Sequence, residues 1–439
     1  QLMLDIGATG TRLGHQQRDD YVYDMADKNG MIVWAEVPLI NRINDNPEFY
    51  QNVKQQAREL VKQNYNHSSI LFWGLFNEVT LKKGPDPRSL VIELNAIVKR
   101  LDANRLTTAA VVAENAFDDP LVTTTDLTSF NRYYGWYHSS FNELDTFLDK
   151  THQAAPHLKL GVSEFGAGAS INYHSDKPVM QDHSEEYQAL FHEHYWQTMA
   201  DRPNLWGKFV WVLADFAVDH RDEGDTPGRN DKGLVTFDRK VKKDAFFWYQ
   251  ANWSEKPMLH ITSRRYQQRT SEKVSIKVYS NLAELTLSVN DNIVGTKALN
   301  GARKQIWQNV FLQIGDNRLL VAGKDNHGNV IEEKIMLTRV ESKDTQLKSK
   351  LLGIDNNQGI IYNLPYGLNF SELKQLITFP DFSDVKLISN GKSSFIKVND
   401  AIEVTAQDRA THQKFIFKTG PLSRAKATSA SKENNSEFS

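Results

Sequence analysis

Two glutamates at the ends of strand-like segments are the side chains of this chain best placed to do chemistry. In Ser68-Ser-Ile-Leu-Phe-Trp-Gly-Leu-Phe-Asn-Glu-Val79, an almost wholly apolar run from Ile70 to Phe76 ends in Asn77-Glu78. In Leu160-Gly-Val-Ser-Glu-Phe-Gly-Ala-Gly-Ala-Ser170 a second run ends at Glu164. Short apolar runs with β-branched and aromatic residues suit strands buried on both faces of a parallel sheet. If such strands close into an α/β barrel, their carboxyl ends share one rim, where catalytic side chains sit. A strand-end glutamate can also cap a helix or pair with a cation, but two on one rim fit hydrolysis of a glycosidic bond. In the retaining form, one carboxylic acid protonates the leaving oxygen while a carboxylate about 5–5.5 Å away attacks the anomeric carbon. The two then need unlike surroundings. A glutamate buried among aromatics keeps its proton, and one held by arginine or hydroxyl donors stays ionised.

The flanking elements could position that pair. Thr9 to His15 reads as a strand, and Asp20 to Asn29 as a helix closed by Gly30. Strand Met31 to Val37 and a helix over Pro47 to Gln63 lead to the Ile70 strand. Then come helix Arg88 to Leu101, strands Leu106 to Val112 and Leu127 to Tyr134, helix Asn142 to Ala154 and the Leu160 strand. Helix Ser184 to Met199, strand Trp206 to Leu213 and a helix near Asp244 to Ala251 close the series. Alternation of this kind implies parallel strands with right-handed crossovers, and it supplies seven strands where a closed barrel has eight. The expectation over 1–256 is therefore a (β/α)8 TIM-type barrel lacking its first strand, with two open edges that leave homo-oligomer formation possible. Gln1-Leu-Met-Leu-Asp-Ile reads as the middle of a helix rather than a start, and the isolated chain is expected to be weakly active or inactive.

Past Trp253 the pattern becomes short alternating strands with Asn290-Asp-Asn and Asp325 to Gly328 as turns, an immunoglobulin-like β-sandwich over 257–340. A Lys/Ser-rich linker at 341–350, a second β module at 351–420 and a disordered tail at 421–439 complete the predicted domains. The 439 residues carry 52 Lys plus Arg against 54 Asp plus Glu, a balance that argues against a general nucleic-acid or anionic-membrane binder. There is no run long and apolar enough for a membrane helix, and with no cysteine there are no disulfides, thiolate metal sites or thiol nucleophiles.

Several motifs in one order give the chain a family likeness. Asn77-Glu78 after Ile-Leu-Phe-Trp-Gly, Asn131-Arg-Tyr-Tyr-Gly-Trp-Tyr137, Ser163-Glu-Phe-Gly-Ala-Gly, Phe209-Val-Trp and Asp231-Lys-Gly-Leu-Val-Thr resemble glycoside hydrolase family 2, most closely its bacterial β-galactosidases. The resemblance implies a retaining enzyme that removes terminal β-galactose from oligosaccharides or polysaccharides, with Glu78 as acid/base and Glu164 as nucleophile. It also implies that Asn77 bonds the hydroxyl beside the anomeric carbon, that Tyr133 donates to the nucleophile, that Arg12 and His15 belong to the sugar site, and that Trp211 is its floor. Glu36 is a third rim carboxylate, structural or paired with Arg12. Where magnesium-binding members have a further acid, Ile40 stands, so no metal or other cofactor is expected. Asn230 and Lys232 match the Asn-x-Lys arrangement that grips the sugar carboxylate in β-glucuronidases, which makes a β-glucuronidase or β-galacturonidase the second reading. The third is a carbohydrate-binding or structural fragment without activity. By analogy with exported enzymes that carry such modules, a periplasmic or secreted location is favoured.

Overall fold

The computed structural model describes residues 1–112, 117–365, 367–380, 383–389 and 395–418. The tail predicted at 421–439 lies outside the described residues.

Seven strands form one parallel sheet in sequence order: β1 (Gly10–Leu13), β2 (Ile32–Glu36), β3 (Ile70–Asn77), β4 (Leu106–Val111), β5 (Leu127–Asn131), β6 (Leu160–Phe165) and β7 (Leu205–Val210). Among the described residues β7 does not pair with β1, so the TIM-type barrel is nearly closed and carries the two open edges that the strand count implies. A cleft of about 580 Å³ runs between them, walled by Thr9 to Gly14 on one side and Leu205 to Leu213 on the other.

Around the sheet lie α1 (Leu2–Ile6), α2 (Asp20–Asn29), α3 (Pro47–Asn64), α4 (Arg88–Leu101), α5 (Pro120–Thr123), α6 (Glu143–Ala154), α7 (Glu185–Ala200) and α8 (Asp244–Trp253). Their ends follow local chemistry. Gly30 closes α2 at φ 62°, while Asn46 accepts from the Phe49 amide and sets Pro47 as the first residue of α3. The centre of β3 is fixed by packing: a side chain on Gly74 would come within 2.1 Å of Trp34 Nε1, so the strand needs glycine for the buried indole to fit inside the barrel. No helix among the described residues is long and apolar enough to cross a membrane.

A second core is enclosed by two sheets. One holds β10 (Leu259–Ile261), β12 (Lys273–Ser280) and β15 (Lys304–Phe311); the other holds β11 (Gln268–Arg269), β13 (Glu284–Val289), β14 (Asn292–Ala298), β16 (Gly315–Lys324) and β17 (Val330–Arg339). This sandwich is joined to the barrel by buried ion pairs. Glu193 of α7 accepts from Lys277, Tyr279 and Lys304, and His260 pairs with Asp244 at 2.9 Å while stacking on Phe247.

The third core is walled by β18 (Gly353–Asp355), β19 (Ile360–Tyr362), β20 (Asp384–Ile388), β21 (Ala401–Thr405) and β22 (His412–Lys418). It also contains α9 (Phe370–Leu376), which the strand pattern did not foretell although Asn369-Phe-Ser-Glu372 forms a reciprocal capping box. The segment expected as a linker is packed here as well: Leu347 is buried in this core, and Lys348 exchanges backbone bonds with Thr378.

Candidate active site

The carboxyl ends of β1 to β7 surround a cavity of about 460 Å³. His15, Asn77, Glu78, Tyr133, Glu164, Trp211 and Asn230 line it, so most of the residues singled out from sequence meet at one place. Arg12 lies just beneath, its Nη1 donating to Glu164 at 2.7 Å and its Nη2 to Asn77 Oδ1 at 2.9 Å.

Glu164 is surrounded by donors. Besides Arg12, the Tyr133 hydroxyl donates to its other oxygen at 2.8 Å, and His15 Nε2 stands 3.6 Å away. Charge-assisted bonds of this kind fix the carboxylate's orientation. Burial pushes the Tyr133 hydroxyl well above its usual range, and the Glu164 charge adds to this, so the phenol stays a donor.

Arg12 is itself held from below. Glu36, fully buried, takes its Nε at 2.8 Å and Nη2 at 3.1 Å, and accepts from His15 Nδ1 at 2.6 Å. Burial opposes a charge on Glu36, but Arg12 and His15 outweigh it and hold the carboxyl below its ordinary value. The guanidinium lies 4.7 Å over the Trp34 ring, which connects the site to the Gly74 packing. Glu36 is thus the arginine's partner, one of the two roles that the sequence left open.

Glu78 has poorer company. Its carboxylate accepts one bond, from Asn131 Nδ2 at 2.8 Å. Burial, and then the neighbouring Glu164 charge, push its pKa from 4.5 up to about 7. Its backbone sits at φ 51°, the left-handed region that non-glycine residues enter at a cost of about 1–3 kcal/mol. Asn131 opens the Asn131–Tyr137 motif, but its residue type alone implied no role. Its position at the end of β5, equivalent to that of Asn77 at the end of β3, was the available signal.

Trp211 stacks on His15, with ring centres 5.0 Å apart and planes 16° apart. A side chain on Gly166 would come within 2.0 Å of the Trp211 carbonyl, so the glycine after Glu164-Phe165 is what lets the indole reach the cavity. Past Trp211 the charged loop 218–228 is closed at its base by a ribbon, β8 (Phe216–Ala217) against β9 (Arg229–Asn230), a pairing not foreseen from its composition.

Asn230 lines the cavity and its Oδ1 accepts from the Lys232 amide at 3.1 Å. The Lys232 side chain lies behind the cavity wall. It is buried, over the faces of Tyr137 (4.8 Å) and Trp136 (5.4 Å), with Glu223 at 3.7 Å. Arg221, which sequence reasoning passed over, reaches the cavity between Tyr137 and Glu223.

Chemically, the site offers a carboxylate held by an arginine and a phenol, a carboxyl that holds its proton to near neutral pH, an aromatic floor and several amide groups.

Comparison with known proteins agrees with this inventory. Residues 1–256 match the family described as glycosyl hydrolases family 2, TIM barrel domain. The chain is 42% identical over 339 residues to a β-glucuronidase of Bacteroides fragilis, covering 74% of this chain and 48% of that one. Among solved structures it is similar to an FMN-binding β-glucuronidase from Faecalibacterium prausnitzii L2-6, with TM-score 0.74, 40% identity, and 78% of this chain matched to 52% of that one. A putative β-galactosidase from Bacteroides fragilis gives TM-score 0.71 and 32% identity, with 77% and 50% covered. The chain spans about half the length of the relatives it matches.

Proposed function

Because the chain belongs to glycosyl hydrolase family 2, we propose that it forms the catalytic barrel of a retaining exo-acting β-glucuronidase. Glu164 is the nucleophile. Oriented by Arg12 and Tyr133, it attacks the anomeric carbon as Glu78 passes its proton to the leaving oxygen, and a glycosyl ester forms. Once Glu164 is esterified its charge is gone, and with it one of the two causes that raise the Glu78 pKa. Glu78 then becomes the stronger acid and, as a carboxylate, can take a proton from the water that hydrolyses the ester. Asn77, fixed by Arg12, is placed to bond the hydroxyl next to the reacting carbon, where such bonds strengthen as positive charge develops. Trp211, braced by His15, offers its face to the sugar's C–H groups.

The observation that carries the glucuronide reading is the pair Asn230 and Lys232, an amide at the cavity wall with an ammonium directly behind it. An ammonium there favours an anionic sugar. The motifs in the sequence resemble the β-galactosidase branch of the family most closely. The names of the relatives, β-glucuronidases at 42% and 40% identity, favour the glucuronide. The galactoside remains the second reading, favoured by the 32% identical structure named for that activity. The test compares kcat/KM of the full-length protein for 4-nitrophenyl β-D-glucuronide and β-D-galactoside. A preference for the glucuronide is expected, lost in Lys232→Ala, and a wild-type preference for the galactoside would refute it.

A further inference from the structure

Lys232 poses a charge problem that the Asn-x-Lys pair does not solve. Its ammonium is buried and makes no hydrogen bond among the described residues, and burying such an ion without compensation is strongly unfavourable. Aromatic faces on one side ease the cost, and nearby carboxylates must do the rest. Two face it. Asp231 is buried and locked to His183 at 2.6 Å. Glu223, 3.7 Å away, also pairs with Arg221 and keeps about a quarter of its side chain, 24%, exposed to water.

The loop holding Glu223 is built rather than loose. Val218 and Gly228 bond across its base at 2.9 Å, the Gly228 amide donates to Arg221 at 2.7 Å, and Ser170 donates to Asp225 at 2.5 Å. Gly224 sits at φ 69°, against Asp231, where a side chain would lie 2.5 Å from its carboxylate. With the backbone held, the Glu223 side chain can still turn toward water, which Asp231 cannot do.

We propose that Glu223 is a specificity-determining residue: its carboxylate competes with the carboxylate of a uronic-acid substrate for the charge of Lys232 and Arg221. The inference rests on the glucuronidase reading and adds to it a residue that opposes anionic sugars and leaves neutral ones unaffected. A substrate carboxylate binds here by turning Glu223 out, so the affinity for uronates is set by the difference between two anions at one cationic seat. Discrimination then depends as much on the resident anion as on the lysine.

The test is calorimetric binding of D-glucuronate to full-length wild type, Glu223→Gln and Glu223→Ala, alongside KM for the nitrophenyl glucuronide and galactoside. Removing the competing charge is expected to tighten glucuronate binding about fivefold, the size of one partly exposed charge contact. The glucuronide KM should fall by a similar factor relative to the galactoside KM. Unchanged or weaker glucuronate binding in whichever variant is folded overturns the role of Glu223. A wild type that turns over no glucuronide refutes the substrate reading instead, and the two failures are separable because glucuronate binding is read without turnover.

Discussion

Two buried glutamates in this molecule have opposite fates. Glu193, at the seam between barrel and sandwich, sits between Lys277 and Lys304 and also accepts from Tyr279. Glu78, at the barrel mouth, has one amide and another carboxylate nearby. Burial works against the charge in both. At the seam the two lysines outweigh it and hold Glu193 below its ordinary value, whereas at the mouth the Glu164 charge adds to burial and brings Glu78 to about 7. The seam matches its acids with cations and gains cohesion. The mouth gathers Glu36, Glu78 and Glu164 around Arg12 and gains a carboxyl that still carries a proton near neutral pH. A carboxyl without a cation of its own therefore marks the working end of the barrel.

That contrast can be broken at the mouth first. Glu164→Gln in the full-length protein is expected to lower kcat by roughly 10⁴-fold or more with the fold intact by circular dichroism, since it replaces the attacking carboxylate with a weakly nucleophilic amide. Near-normal turnover would sink the assignment. Glu78→Gln should cost about 10²–10⁴-fold on a poor leaving group and much less on nitrophenolate, which departs without a proton. The readout is the ratio of the two rates.

The seam responds in stability rather than rate. Glu193→Gln leaves two part-buried lysines short of their anion and is expected to destabilise by about 2–4 kcal/mol in thermal unfolding, with kcat per folded molecule unchanged. The pH dependence sharpens the comparison further. Glu193, depressed in the folded state, contributes stability above its unfolded pKa that is lost as pH falls through the folded value. Glu78 has the reverse sign. Between pH 4.5 and about 7 the unfolded chain has released this proton and the folded chain still holds it, so stability declines as pH rises. Glu78→Gln should therefore raise the melting temperature at pH 8 by about 2 °C and leave it unchanged at pH 4. The smallest effect is kinetic: kcat/KM of the wild type should bend downward near pH 7, and that bend should persist in Glu193→Gln.

Much of the site was legible because a parallel strand carries its information locally. The apolar runs 70–76 and 160–164, each ending in a polar residue, locate a rim without any knowledge of contacts. Arg12, His15, Tyr133 and Trp211 were implied by the family resemblance, and all four lie at or just beneath the cavity. Asn131 received no role because an asparagine at a strand end has too many ordinary uses. Arg221 and Glu223 received no role because a charged, glycine-rich loop leaving the rim mostly solvates a surface, and only the ribbon at its base and the Arg221–Glu223 pair fix which side chain reaches the cavity. The packed segment at 341–350 was missed for a similar reason, since one buried Leu347 among lysines and serines leaves no period to detect.

The amino-acid order alone established seven strands, most of them alternating with helices, and which of their ends bear carboxylates. It could do so because hydrophobic period and strand termini are properties of neighbours in the chain. Only the tertiary structure decided which of those carboxylates keeps its proton, that Glu36 rather than solvent anchors Arg12, and that Lys232 stands behind the cavity wall beside Glu223. Those outcomes depend on burial and on charges brought together from distant parts of the chain, and neither has a signature in local spacing.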